Sequence, residues 1–253
     1  MTMFQPYISQ LFEGTIWRLL IDDSKDILAI EIRNEKDKQV SFASIDLSQG
    51  EVYFTAFALP ERWLAGIEAV HDGILLLHYY KHESGPEHKA IVAVDAKTGT
   101  ELWSNYSIAF DHLTVNGPAV YYTAIQPKKL YILDATTGKI IRLFNDTIDK
   151  PLDVQIVIPD IYKPAEMLPG ILPEEPFGNM VHYLDHNIYR IVSLHTLKNG
   201  LLQQQLYILK ETIVVYHDLL NSDIQKLQPE AFVIHNNTLV YIQNKTILKA
   251  LKI

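Results

Sequence analysis

The segment "HYYKHESGPEHK", residues 78–89, gathers His78, His82, Glu83, Glu87 and His88 within eleven residues. Imidazole and carboxylate groups of this kind can ligate zinc or nickel. Their intervals match no metal-binding signature, and the Ser-Gly-Pro centre makes the segment a loop, so the reading is solvated loop charge and no metal is expected. His182 and His186 are four apart, which suits a metal on a helix, but they fall on a strand and in its following turn and should not converge. A second chemistry needs paired carboxyls. Glu13, Asp111 and Glu230 could serve as the acid and base of a glycosidase, provided that the fold brings two of them within about 9.5 Å.

These residues must be held by strands. Three segments align on an aspartate: "SIDLSQGEVYF", "AVDAKTGTELW" and "ILDATTGKIIR". Asp46, Asp95 and Asp134 each stand four residues before Gly50, Gly99 and Gly138. Glycine supplies the positive φ of a tight turn, and an Asp oxygen, helped by Thr98 in the second copy, accepts the turn's free N–H groups. Apolar residues flank each turn, so each segment reads as a hairpin. The intervals of 49 and 39 residues are too uneven for a solenoid but suit propeller blades with variable loops.

Further turns at 22–26, 71–73, 116–117, 185–187 and 235–237 precede apolar strands, which gives five units. His71, His186 and His235 sit at such turns, where a backbone role is expected. The fifth unit ends at Ile253 with three strands, and "MFQPYISQLF" precedes the first unit. The predicted fold is all-β: a five-bladed β-propeller of four-stranded antiparallel blades in one domain, 1–253, its last blade closed by the N-terminal strand.

The pattern A-x-D-x-x-T-G-x-x-x-W in "AVDAKTGTELW" resembles the tryptophan-docking repeat of quinoprotein-type (pyrroloquinoline-quinone-like) β-propellers. That resemblance implies that Trp103 packs on the glycine turn of the neighbouring blade, with Phe54 and Arg142 at the equivalent place in the weaker copies. The size and irregularity also resemble a Bacteroidetes family of small propellers without assigned function. The resemblance does not extend to the quinone. Dehydrogenases of the family have eight blades and a vicinal cysteine pair, whereas this chain has 253 residues and no cysteine. A shared repeat licenses a fold rather than a chemistry, and no cofactor is expected.

Polar residues on strands expected to line the channel are the ligand candidates: Arg18, Glu68, Asp111, His112 and His182. Counting back from each first turn places Trp17, Gly66, Asp111, Met180 and Glu230 on one level. Arg18, Ile67, His112, Val181 and Ala231 share the next. Between blades three and four lies an insertion, 149–179, with six of the chain's twelve prolines. Its aliphatics (Ile156, Val157, Ile158, Ile161, Met167, Leu168, Ile171, Leu172 and Phe177) predict a segment folded over the loop face as a cap or lid.

Composition bounds the function. The chain is 48% hydrophobic and 21% charged, the balance of a globular core. A net charge of −8 argues against nucleic acid, where affinity comes from neutralising phosphates. No apolar run approaches a membrane span, and no basic-then-apolar leader stands at the amino terminus, so cytoplasmic residence is expected. The expected function is a non-catalytic module that binds a protein or small molecule on the loop face, with the glycosidase-type hydrolase as the alternative.

Overall fold

In the computed structural model, the three Asp-x-x-x-Gly segments close hairpins through the same set of bonds. Asp46 Oδ1 accepts the N–H groups of Ser48 and Gln49 at 2.7 and 3.0 Å. Asp95 Oδ1 accepts those of Lys97 and Thr98 at 3.0 and 2.7 Å, and Asp134 Oδ1 those of Thr136 and Thr137, both at 2.9 Å. The N–H of Gly50, Gly99 and Gly138 donates back to the carbonyl of its aspartate at 2.8, 2.9 and 2.8 Å. All three glycines have φ between +69° and +77°, a region that costs an ordinary L-residue about 1–2 kcal/mol.

The structure describes residues 4–167, 170 and 172–253. Among these there is no α-helix, only a 3-10 turn at Pro164–Glu166. The strands form five antiparallel sheets of four or five strands each. They fall into two compact units, Phe12–Val154 and Met1–Leu11 together with Gln155–Ile253.

The unit Phe12–Val154 holds three four-stranded sheets in simple sequential order. The first comprises Thr15–Asp22, Ile27–Asn34, Gln39–Asp46 and Val52–Phe57. The second comprises Ala65–His71, Ile74–Tyr80, His88–Asp95 and Glu101–Asn105. The third comprises Ile108–Thr114, Gly117–Tyr122, Leu130–Leu133 and Ile140–Leu143. The run "ILLL" at 74–77 has no polar face because both faces of its sheet are covered. Leu75 and Leu77 pack with Ala29, Phe42 and Ile67 in one core, while Ile74 and Leu76 pack with Ile108, Val120 and Leu133 in another. Alternation of side chains along a strand distributes a continuous apolar run to two cores.

Trp103 lies on the third copy's turn: its Nε1–H donates to Ala135 O at 2.8 Å, and a Cβ added to Gly138 would stand 2.6 Å from Trp103 Cδ2. Phe54 covers the Gly99 turn in the same way, at 3.3 Å. Arg142 instead forms a two-pronged ion pair with the buried Asp149, at 2.6 and 2.5 Å.

The other unit holds two sheets, and both have five strands where four were expected. One runs Asp160–Tyr162, Val181–His186, Tyr189–Lys198, Leu201–Lys210, Ile213–Ile224; the other runs Ile8–Leu11, Ile247–Lys252, Thr238–Gln243, Phe232–His235, Ile156–Val157. Ile8–Leu11 pairs with Ile247–Lys252, from Ile8 opposite Ala250 to Leu11 opposite Ile247. The extra strands come from the insertion. Ile156–Val157 pairs with Ile234 and His235, and Asp160–Tyr162 pairs with Val181–Tyr183. Each satisfies N–H and C=O groups that an open sheet edge would leave unpaired. The insertion's apolar residues divide: Met167 and Leu172 pack against Val181, Val192 and Tyr207, whereas Ile158, Ile161 and Phe177 are exposed. Leu168 and Ile171 lie outside the described residues.

A core of Ile191, Leu206, Ile208, Phe232, Leu239 and Leu251 fills this unit. A polar network adjoins it. Asp218 Oδ2 accepts from Tyr241 Oη and Lys249 Nζ, both at 2.6 Å, and Tyr216 Oη lies 2.7 Å from Tyr241 Oη. Burial, with Asp218 beside it, raises the Tyr241 hydroxyl far above the usual phenol range, so it is a permanent donor tying one sheet to the other. Nothing in the sequence pattern marks Asp218 for this role.

Candidate functional site

In each sheet of the Phe12–Val154 unit the first strand is an edge strand and carries a β-bulge. The register skips Trp17 between Ile16 and Arg18, Glu68 between Ile67 and Ala69, and Asp111 between Phe110 and His112. A bulge leaves one residue unpaired and re-aims its side chain, and bulges gather at edges and beside functional sites. Counted in paired residues from the hairpin turns (Asp22 opposite Ile27, His71 opposite Ile74, Thr114 opposite Gly117), the bulges at Glu68 and Asp111 fall at one level and that at Trp17 lies two pairs further from its turn. This corrects the level that counting from the turns gave Gly66 and Asp111 in common: a bulge adds a residue without advancing the register, and Gly66, opposite His78, matches Arg18, opposite Glu31.

Gly66 has a different reason to be glycine. A Cβ there would approach His78 Cε1 to 2.8 Å and Glu31 Oε2 to 3.1 Å. Polar side chains of the first sheet grip the backbone on either side of it. Arg18 Nη1 donates to Ile67 O at 2.7 Å, Arg33 Nη2 to Ala65 O at 2.9 Å, and Ile67 N–H to Glu31 Oε2 at 3.0 Å. Arg33 Nε also donates to Glu31 Oε1 at 2.7 Å. Both carboxylate oxygens of the buried Glu31 are thus engaged, the condition under which such a charge survives desolvation. The Arg33 guanidinium is flanked by Trp17, Trp63 and Tyr80, with ring centroids 5.5, 5.2 and 6.0 Å away. Trp17 itself is 62% exposed.

The Glu68 carboxylate turns to two histidines. Its Oε1 lies 2.7 Å from His88 Nδ1 and 3.3 Å from His78 Nδ1. The imidazoles stack, with centroids 3.6 Å apart and planes 11° from parallel. His78 sits in mid-strand and is only 1% exposed, so it is not the solvated loop charge expected for this segment. Burial, followed by the nearby His88, Arg18 and Arg33, pushes its pKa down to about 2, and the ring is neutral at any physiological pH. His82, Glu83 and Glu87 are exposed, with Glu87 paired to Lys81 at 2.9 Å.

Asp111 meets Lys128 Nζ at 2.5 Å and His112 Nδ1 at 2.7 Å. Burial pushes its carboxyl up, but Lys128 and His112 outweigh that and hold it below the usual carboxylate range. A carboxyl kept ionised in this way does not supply the proton that a glycosidase acid must deliver. Glu13 lies exposed in the bend before Thr15, in the same unit. Glu230 lies in the other unit, exposed and ahead of the strand Phe232–His235. His182 also belongs to that unit. It is buried, its Nε2 lies 3.0 Å from Pro229 O, and burial lowers its pKa. The neighbouring buried His195 is pushed down to about 4 by burial and by His182. Of the ligand candidates, then, the fold brings Arg18 beside the Glu68 strand and Asp111 beside His112. His78 and His88 stand out in the sequence, but their meeting with Glu68, and the roles of Glu31 and Arg33 beside it, do not, since the alternation of apolar and polar residues shows no bulge.

A family model described as Domain of unknown function (DUF4905) matches residues 21–103, the stretch that carries most of this cluster. No curated protein matches the chain. Among solved structures, the chain is similar to BamB from Moraxella catarrhalis at 10% identity and a TM-score of 0.34, covering 99% of this chain and 100% of that one. It is similar to a europium-containing methanol dehydrogenase at 11% identity and 0.32, covering 97% of this chain and 52% of that one. The β-propeller domain of the Trilobed protease from Pyrococcus furiosus is similar at 10% identity and 0.37, with 93% and 78% covered.

Proposed function

We propose that this chain is a single-domain, five-bladed β-propeller, its last blade completed by the N-terminal strand, and that it works as a non-catalytic binding module. Five antiparallel sheets and the pairing of Ile8–Leu11 with Ile247–Lys252 support the architecture. In such a ring the first strands line the channel, and the loop face carries the 149–179 insertion. The observation that carries the binding reading is a bulge in each of three first strands, which leaves Trp17 and Asp111 accessible and turns Glu68 to His78 and His88. Arg18 and His112 follow Trp17 and Asp111. An exposed indole beside fixed charges of both signs suits a polar ligand with an apolar or planar part, either a small molecule or a peptide segment.

The test is ligand-observed NMR with sugars, nucleotides, amino acids and short charged peptides, run on the wild type, Trp17→Ala and Asp111→Asn. The expected result is one ligand class bound by the wild type, weakened more than about tenfold in at least one variant and recovered chemically unchanged. Binding indifferent to both substitutions, or conversion of the ligand to product, would overturn the reading.

A further inference from the structure

The Glu68, His78 and His88 cluster has a feature that a structural ion pair does not explain. Neither ring nitrogen of His78 has a hydrogen-bond partner, although the residue is 1% exposed; Glu68 approaches Nδ1 at 3.3 Å without hydrogen-bond alignment. Leaving a buried polar group unsatisfied costs about 1–3 kcal/mol, and buried groups of this kind call for an explanation such as an ion. One donor atom from each of Glu68, His78 and His88 lies within 4.8 Å of the others.

The backbone is bent on both sides of His78. Glu68 is the bulge residue of the strand on one side. On the other, the register jumps from Leu77 opposite Val92 to Tyr79 opposite Lys89, so Ala90 and Ile91 together face His78. Ala90 adopts φ +63°, a left-handed conformation that strains a residue with a Cβ and is kept where the surroundings impose it. Two distortions thus aim Glu68 and His88 at one buried imidazole.

We infer that Glu68, His78 and His88 form a binding site for a zinc-type divalent transition metal, with two imidazoles and one carboxylate as protein ligands and a further coordination position open. Three protein ligands plus an exchangeable position is a common zinc arrangement, with Zn–N near 2.0–2.1 Å. The stacked rings direct their in-plane lone pairs in parallel, so one ring must turn to share an ion. His78 is wedged over Gly66. His88 has the freedom: it is 28% exposed and opens its strand after the loop that holds Gly85 and Pro86. The site stands independently of the binding-module reading.

The test is titration of the tag-free, chelator-treated full chain with Zn²⁺ by calorimetry and with Co²⁺ by visible absorption, with Ca²⁺ and Mg²⁺ as controls. The expected result is one Zn²⁺ per chain, ligand-field bands from Co²⁺, and no response to Ca²⁺ or Mg²⁺, which prefer all-oxygen sets. His88→Ala and Glu68→Gln should each weaken Zn²⁺ by more than about tenfold, while His82→Ala, in the exposed loop, leaves it unchanged. His88 is partly exposed, so its variant keeps the test open should changes at His78 prevent folding. Zn²⁺ should also raise the melting temperature of the wild type but not of His88→Ala. No uptake, or uptake unaffected by His88→Ala and Glu68→Gln, would overturn the inference.

Discussion

Gly99 and Gly138 allow a single contact to be separated from backbone strain. Their φ values are +69° and +70°, so a Cβ imposes the same left-handed penalty at both, about 1–2 kcal/mol. They differ in what the Cβ meets: the edge of Phe54 at 3.3 Å, or the indole of Trp103 at 2.6 Å. Gly138→Ala is therefore expected to destabilise by about 1–3 kcal/mol more than Gly99→Ala, the usual range for overpacking. Urea unfolding of both variants measures it, and equal losses would show that the indole moves aside freely. In a Trp103→Ala background the difference should vanish, because the ring that discriminates the two turns is gone. The motif around these glycines was legible because a turn's needs are local: a positive φ and an oxygen for free N–H groups. The partners of Glu68 were not legible, since they come from strands and sheets that only the fold makes neighbours.

At the scale of the element, Ile8–Leu11 carries the clearest expectation. It covers the outer edge of Ile247–Lys252, and an uncovered apolar edge is a template for pairing with another chain. Deleting residues 4–12 should lower the melting temperature and produce concentration-dependent association, both relieved by a synthetic peptide spanning those residues. Sedimentation velocity with and without the peptide checks this, and a monomeric, equally stable deletion would remove the strand from any structural role. That a strand was missing from the fifth unit could be counted from the sequence, as could the insertion's refusal of ordinary ladder positions with six prolines. Its use as two edge strands could not. Ile156–Val157 and Asp160–Tyr162 are short, and their assignment depends on which edges stand open beside them.

At the scale of the whole molecule, stability should respond to acid in two steps. His78 and His195 are pushed down to about 2 and about 4, and His182 is lowered as well, in each case chiefly by burial. A group with a depressed folded pKa binds protons preferentially in the unfolded chain. Their contribution is therefore complete above the unfolded value near 6.5 and is lost as pH falls below it. The second step belongs to Asp149, which its hydrogen bonds from Arg142 hold well below the usual carboxylate range despite burial; its contribution persists until pH drops below about 4. Urea midpoints should decline as pH falls below about 6.5, keep declining because the folded imidazoles stay neutral to about 4 and below, and fall more steeply below about 4. Asp149→Asn should be indifferent to the second step, and a flat profile from pH 7 to 5 would mean that these imidazoles remain hydrated.

The hairpins, their turns and the incomplete last unit follow from the amino-acid order alone, because φ preferences, turn hydrogen bonds and side-chain alternation act over a few residues. Which polar side chains meet was decided only by tertiary structure. One unpaired residue in a strand shifts every later register position, and whether that residue is Trp17, Glu68 or Asp111 depends on bonds such as those that Arg18, Glu31 and Arg33 make to a neighbouring sheet.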